Sequence, residues 1–269
     1  MAKEGIERHQ VHDKKLKLVI LRLDFAGVSD SQILVKLFET RFPKEYKSKT
    51  EIHNRQLNIT FREEDLKEIS DTLSLPVSVI KNEKVFSYNG KKNVICDASM
   101  EISQYYLGLT VKCNENYDGL DSYVESFKGA ISVFKEKIPY FAPKRLGIRK
   151  VRIEEKPSIA DFSSVFEDFV FEIPSFDQPG HILLKNVNMS FIELPNAHNL
   201  RINVRREMGK GARPDGVVQY RAILDLDAYY KEDALTNGNI NTMIKEANQQ
   251  EYIVYRSCMK ESYLRSIMH

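Results

Sequence analysis

The sequence contains no tryptophan and only three cysteines among its 269 residues. Aromatic packing must therefore come from its 13 tyrosines and 14 phenylalanines. The cysteines, Cys96, Cys113 and Cys258, are odd in number and widely separated. Such usage argues against a disulfide framework and favours a reducing compartment. We therefore expect a cytoplasmic protein.

An excess of charge and a long apolar run are also missing. Forty Lys and Arg residues against 38 Asp and Glu residues leave a net charge of +2, so no global field attracts nucleic acid or an anionic membrane. Any affinity for anions must be local. The apolar run over residues 16–23 contains Lys17 and Arg22 and is too short and too charged for a signal peptide or a membrane span. We expect no membrane partner.

The usual catalytic and cofactor motifs are absent as well. The six histidines form no H-E-x-x-H pattern, and the cysteines form no C-x-x-C pattern, so zinc is not indicated. No G-x-S-x-G elbow, Rossmann glycine motif or kinase set occurs. We therefore expect no cofactor and favour a non-enzymatic protein, while leaving enzymatic activity open.

The first part of the chain predicts a lead-in, a strand and a helix. Residues 1–15 show no apolar period and are expected to be a flexible lead-in. Branched apolar residues over 16–25 predict a strand, and a capped, helically spaced segment over 29–42 predicts a helix. The polar residues that follow are ambiguous, with a short helix considered over 63–73.

The middle of the chain predicts a meander, then the clearest helix. Residues 77–111 have strand patterns, and Asn89-Gly90 is typical of a tight hairpin turn. Apolar residues at helical spacing over 117–138 predict a helix with one buried stripe. A strand is predicted over 145–155.

Three further strands and a helix complete the chain, at 181–194, 199–207, 217–230 and 239–268, with a break considered near Arg256. Strands joined by short connections pair antiparallel. The predicted fold class is therefore α+β, with helices packed against a largely antiparallel sheet and a loose two-part pseudo-symmetry. We expect residues 16–269 to form one domain, or two halves at 16–113 and 114–269.

Residues 206–217, "REMGKGARPDGV", raise the question of a phosphate site. Alternating residues precede and follow the glycines, which predicts a hairpin, whereas a Walker-type loop needs a helix immediately after it. The favoured interpretation is a solvated hairpin tip. The alternative is a basic finger that contacts a phosphate backbone. Its cations would be Arg201, Arg205, Lys210, Arg213 and Arg221.

The strand over 145–155 places Arg145, Gly147 and Arg149 on one face. The favoured interpretation is an internal salt bridge that fixes the sheet against a helix, because a buried guanidinium needs a partner. The sharper alternative is an anion seat beside Gly147. Asp225 and Asp227 share one side of another strand and are weak candidates for a divalent metal, with a solvated strand face as the default.

A set of features spread over most of the chain carries a family resemblance: Tyr117, Gly119 and Phe127, then Arg145, Gly147, Ile148 and Arg149, then "LDLDAYY" at 224–230 and the helix over 240–263. In this order they resemble a sporadically distributed, functionally uncharacterised family of prokaryotic proteins. In this sequence, Leu120 stands where the family tends to have Trp, and Lys150 and Arg152 or Ile153 replace its Tyr and Asn. The patchy occurrence of the family implies accessory genes of the defence or toxin–antitoxin kind.

The functional prediction is a non-enzymatic module that binds a macromolecule, with a protein encoded by a neighbouring gene as the expected partner. The alternative is a nucleic-acid-binding or RNA-processing protein that uses the basic hairpin. A third hypothesis is an enzyme with a metal at Asp225 and Asp227. The oligomeric state is left open.

Overall fold

The computed structural model describes most of the chain. The predicted helix over 63–73 and Arg213 both lie outside the described residues. Within them, no helix has the length and apolar character needed to cross a membrane. The described residues are 6–11, 13–26, 28, 30–41, 46–59, 78–90, 96–117, 119–171, 185–212, 218–236 and 238–268.

The described residues form nine strands and five α-helices. The strands are β1 (Leu16–Ala26), β2 (Tyr46–Ile59), β3 (Ser78–Gly90), β4 (Asp97–Ile102), β5 (Tyr106–Lys112), β6 (Ala142–Lys156), β7 (Lys185–Leu194), β8 (Leu200–Ala212) and β9 (Val218–Lys231). The helices are α1 (Ser31–Arg41), α2 (Asp121–Lys137), α3 (Glu232–Leu235), α4 (Ile240–Cys258) and α5 (Glu261–Ser266).

All nine strands belong to one sheet, in the order β2-β3-β4-β5-β1-β6-β9-β8-β7. Every neighbouring pair is antiparallel, which confirms the α+β class. The pseudo-symmetry is visible in the order of the strands. The first set runs from β1 to β5, and β5 pairs with β1. The second set runs from β6 to β9, and β9 pairs with β6. The β1–β6 ladder joins the two sets.

The main helices pack on one face of this sheet. In the β1–β6 ladder Leu23 lies opposite Leu146, and both are buried. On the same face, the Phe141 ring contacts the rings of Phe25 and of Phe134 from α2. Helix α4 contacts β6 and β9. The opposite face of the sheet is called the open face below.

Residues 6–11 and 13–15 differ from the flexible lead-in expected of them. Ile6 is only 1% exposed, and its carbonyl accepts hydrogen bonds from Arg256 at 3.0 Å and from Tyr252 at 3.3 Å. Asp13 forms a salt bridge with Arg152 at 2.6 Å. Two apolar residues, Ile6 and the partly buried Val11, and the Asp13 carboxylate hold this segment in place, and they do not form a periodic pattern.

The tight turn predicted at Asn89-Gly90 is also corrected. Strands β3 and β4 do pair antiparallel, but Asn89 lies opposite Ser99, so a two-residue turn at this position is impossible. The connection passes through residues 91–95, outside the described part of the chain. The buried rings of Phe86 and Tyr88 explain the register, because a slip by one residue would turn both away from the core.

The end of the chain follows the predicted helix, with the break displaced. Helix α4 continues to Cys258, and α5 begins at Glu261. Met259, between them, forms a β-bridge with Phe166. This extended residue interrupts the helix three positions beyond the predicted break at Arg256.

Candidate functional site

Four strands place the predicted site residues on the open face. Along β6, Leu146 and Ile148 face the helices, and the residues between them therefore point to the open face. Ladder pairing extends the same face across the next three strands. Its relevant members are Arg145, Gly147 and Arg149 on β6, Asp225, Asp227 and Tyr229 on β9, Arg201, Asn203 and Arg205 on β8, and Val187, Met189 and Phe191 on β7.

Arg145 lies along its own strand instead of pointing away from it. Its guanidinium donates to both carboxylate oxygens of Asp227, each at 2.7 Å, and lies 4.5 Å from the centre of the Tyr229 ring. Gly147 makes this possible, because a Cβ there would come within 3.0 Å of Arg145 Nη1. The space that the sequence offered to an anion is therefore filled by Arg145.

Arg149 forms the second pair of this arrangement. Its Nε and Nη2 donate to the two oxygens of Asp225 at 2.8 and 2.6 Å. These hydrogen bonds raise the pKa of Arg149 although burial opposes them. The Arg149 side chain is 44% exposed, whereas that of Asp225 is 7% exposed. Arg149 can therefore contact a partner while the carboxylate beneath fixes its direction.

The same pairing makes metal binding at the predicted site less favourable. Asp225 and Asp227 each face a guanidinium, which a cation would have to displace. The described residues contain no group of three or more His, Cys, Asp or Glu side chains placed to hold a metal ion. What the aspartates do in this structure is orient the two arginines.

The predicted basic hairpin is a long two-stranded ladder. Strands β8 and β9 pair as far as Ala212 and Val218, with Lys210 exposed opposite Tyr220. Arg205 and Arg221 each have a carboxylate partner, Glu207 at 2.5 Å and Glu155 at 2.8 Å. Gly209 and Gly211 therefore lie in the paired strands and not in a loop, while the tip over residues 213–217 lies outside the described part of the chain.

Only part of the predicted set comes together. Arg205 lies directly opposite Asp225, so it shares that carboxylate's surroundings with Arg149. Arg221 and Lys210 lie further along the ladder, toward the hairpin tip. The open face therefore contains one cluster of Arg145, Arg149 and Arg205, with Arg221 apart from it, whereas Lys210 pairs with Tyr220 on the opposite face.

An exposed apolar row on β7 was not identified from the sequence. Val187, Met189 and Phe191 are 41%, 54% and 73% exposed and alternate with half-buried polar residues. Their strict alternation in "NVNMSF" predicts a strand with one apolar face but does not show where that face points. An apolar strand face is ordinarily directed to the core, whereas here that face is exposed.

The helix face carries a buried ion cluster that was also missed. Lys150 and Arg152 donate to the two oxygens of Glu251 on α4, at 2.5 and 2.6 Å, and Asp13 accepts a further bond from Arg152. The predicted salt bridge between sheet and helix therefore exists, but Lys150 and Arg152 form it. Arg145 and Arg149 instead pair within the sheet.

Burial and charge act against each other in this cluster. Burial lowers the pKa of Lys150, and the attraction of Glu251 only partly offsets it. Burial would raise the pKa of Glu251, but Arg152 and Lys150 outweigh it and hold that pKa well below its usual range. The carboxylate is therefore charged at neutral pH and locks α4 onto β6.

A cleft of about 480 Å³ is lined by residues that directly precede β8 and by residues that follow β9. Its rim includes His198 and Asn199, both in the left-handed region with φ of 54° and 55°. His198 Nδ1 lies 3.3 Å from Glu246, which also accepts a hydrogen bond from Tyr230. These contacts hold the strained turn against α4.

Comparisons with known proteins leave the family resemblance a prediction. No protein-family model matches the chain, and a search of curated proteins found no significant match. A solved structure described as "KH domains" aligns at 9% sequence identity over 93% of this chain, with a TM-score of 0.20. The alignment spans 64% of that structure's chain, and a likeness this low carries no argument.

Proposed function

We propose that the chain is a non-enzymatic module that binds a protein partner on the part of the open face formed by β7, β8 and β9. The observation that carries this proposal is the exposed row of Val187, Met189 and Phe191. Protein interfaces are enriched in aromatic residues, methionine and arginine relative to the remaining surface. This region combines all three.

The position of the arginines defines the partner's chemistry. Arg205 lies directly opposite Met189, and Arg201 lies opposite Glu193 at the end of the row. Both guanidiniums remain partly exposed beside their carboxylate neighbours. A complementary segment would place apolar side chains on the row and carboxylates on these two arginines. In line with the family resemblance, we propose that it belongs to a protein encoded by a neighbouring accessory gene.

Charge pairing favours a protein over a nucleic acid. The described arginines of the predicted basic face all have a carboxylate partner, namely Asp227, Asp225, Glu193, Glu207 or Glu155. Nucleic-acid affinity depends on cations that replace the counterions of phosphates. A face of alternating and paired charges suits the mixed surface of a protein better.

The test uses a photo-reactive benzoylphenylalanine at Phe191, installed in cells that also carry the neighbouring genes. Tyr140 offers a matched control, since it is an aromatic residue, is 77% exposed and lies between α2 and β6. We expect a cross-link from position 191 to one neighbouring gene product, and none to that product from position 140. Equal yields at both positions would overturn the proposed location.

The purified partner then provides the quantitative test. Arg205→Glu should weaken its binding about tenfold or more, because a repelled carboxylate replaces an attracted one. The control Arg265→Glu changes a carboxylate-paired arginine on α5 that is 60% exposed, against 42% for Arg205, and should leave Kd unchanged. Equal effects of both variants, or cross-linking to RNA with steeply salt-dependent binding, would contradict the proposal.

A further inference from the structure

We propose that a second copy of this chain pairs with β7 edge to edge, so that the sheets of the two copies become one. In the described residues β7 ends the sheet and pairs only with β8. No described strand lies along its other edge, to which every second residue of this ten-residue strand directs its backbone N–H and C=O. An edge strand of this length is a template for a further strand unless charges or a covering element protect it.

The side chains of β7 match themselves in one antiparallel register. When Met189 lies opposite Met189 of the second copy, Val187 lies opposite Phe191. Lys185 then lies opposite Glu193. Because of the two-fold symmetry, the last two pairs each occur twice. Both apolar and opposite-charge pairs stabilise an antiparallel ladder when they lie directly opposite each other.

Neighbouring registers lack this match. Side chains repeat every two residues along a strand, so the alternatives on the same face are shifts that centre on Asn188 or Ser190. The first places Lys185 opposite Phe191, and the second places Val187 opposite Glu193. Only the register centred on Met189 pairs charge with charge and apolar with apolar along the whole row.

The charged ends of β7 have partners within the monomer that they can exchange. Lys185 lies 2.8 Å from Glu207, and Glu193 lies 3.2 Å from Arg201. Lys185 and Glu193 remain about half exposed in these contacts. Exposed ion pairs of this kind contribute little to the stability of the fold. Lys185 and Glu193 can therefore turn to a second copy at a small cost in free energy.

Self-pairing goes beyond the proposed partner binding and is measured without the partner. A two-fold axis perpendicular to the sheet keeps the open faces of both copies on the same side. The two apolar rows would then lie next to each other. The purified chain alone is sufficient for the test, so failure of self-pairing and failure of partner binding are separate results.

Disulfide trapping tests the register directly. The two Met189 Cα atoms would lie about 4.5–5.5 Å apart, within reach of a disulfide. Two copies of Val187 would lie about 13 Å apart, out of reach. Mild oxidation should therefore dimerise Met189→Cys but neither Val187→Cys nor Phe191→Cys alone, whereas a mixture of those two variants should cross-link. The wild type is the background control, because Cys96 and Cys258 are buried and Cys113 is half-buried.

Charge exchange separates self-pairing from a role within the monomer. Lys185→Glu should raise the dimer Kd about tenfold or more in sedimentation measurements, since two like-charge pairs replace two opposite-charge pairs. Adding Glu193→Lys should restore dimerisation. Within the monomer the same double change places like charges beside Glu207 and Arg201. If the two residues act only within the monomer, the second change should therefore add to the effect of the first instead of reversing it. A monomeric wild type, or equal self-coupling of Met189→Cys and Val187→Cys, would overturn the proposal.

Discussion

Replacing Glu251 by Gln should be the most damaging single substitution in the ion cluster beneath the sheet. Glu251 is fully buried and accepts from Lys150 at 2.5 Å and from Arg152 at 2.6 Å. Gln keeps the shape but removes the charge, so Arg152 would retain the Asp13 carboxylate and Lys150 would lose the carboxylate that it contacts. Breaking a buried ion pair in this way costs about 3–5 kcal/mol.

Urea and thermal unfolding measure this loss. For a chain of this size, the midpoint of thermal unfolding should fall on the order of 10 °C. Glu261→Gln is the matched control, because Glu261 pairs with Arg265 on the exposed side of α5 and should change stability by about 0.5 kcal/mol or less. A loss below about 1 kcal/mol for Glu251→Gln would refute this account of the cluster.

The pH dependence gives the prediction a second, independent readout. The pKa of Lys150 is lower in the folded state, so the unfolded chain binds more protons and stability rises with pH toward the ordinary lysine value. Without Glu251 this pKa falls further, so the loss should shrink as the pH rises toward the wild-type Lys150 pKa of about 7 and stay level above it. The pKa of Glu251 is also lowered, so its contribution is present above its ordinary value and disappears in acid. A loss that stays constant across pH would contradict these assignments.

Three further experiments test the remaining contacts by urea unfolding. A double-mutant cycle on Arg149 and Asp225 should give a coupling energy of about 1 kcal/mol that falls with added salt, since the pair is partly exposed; zero coupling would contradict the pairing. Gly147→Ala should cost about 1–3 kcal/mol, because the new Cβ displaces the Arg145 guanidinium; a neutral effect would show that Arg145 does not need that space. Asn239→Ala removes the cap of α4 and should cost about 1 kcal/mol, whereas an unchanged midpoint would argue against the cap.

Local patterns predicted most of the elements and the fold class. The alternation on both sides of Gly209 and Gly211 identified the β8–β9 hairpin, and the apolar spacing over 117–138 identified α2. These signals lie within one element. The turn at Asn89-Gly90 failed because the register of β3 and β4 depends on burial of Phe86 and Tyr88, which a turn motif does not contain.

The site was harder to predict because its contacts are distant in the sequence. Alternation separated Arg145 and Arg149 from Lys150 and Arg152, but could not show which set faces the helices. The set on the helix face is buried only because Glu251 and Asp13 supply carboxylates from the two ends of the chain. Pairing of Arg149 with Asp225 likewise depends on β9 lying beside β6.

The exposure of the apolar row on β7 also could not be predicted from local sequence. Its alternation correctly predicted a strand, yet the exposure of Phe191 depends on β7 being the last strand of the sheet. No property of residues 185–194 alone indicates that position. Sheet order, which is a property of the whole chain, converts an ordinary apolar strand face into an exposed one.

The most direct test of the proposed function is native mass spectrometry of the protein purified together with the products of its neighbouring genes. The wild type should carry the added mass of one neighbour-encoded polypeptide in fixed stoichiometry. Phe191→Asp, which places a charge in the row, should lose that added mass. A bare chain in both preparations, or added mass in nucleotide steps, would contradict the proposal that the open face binds a protein.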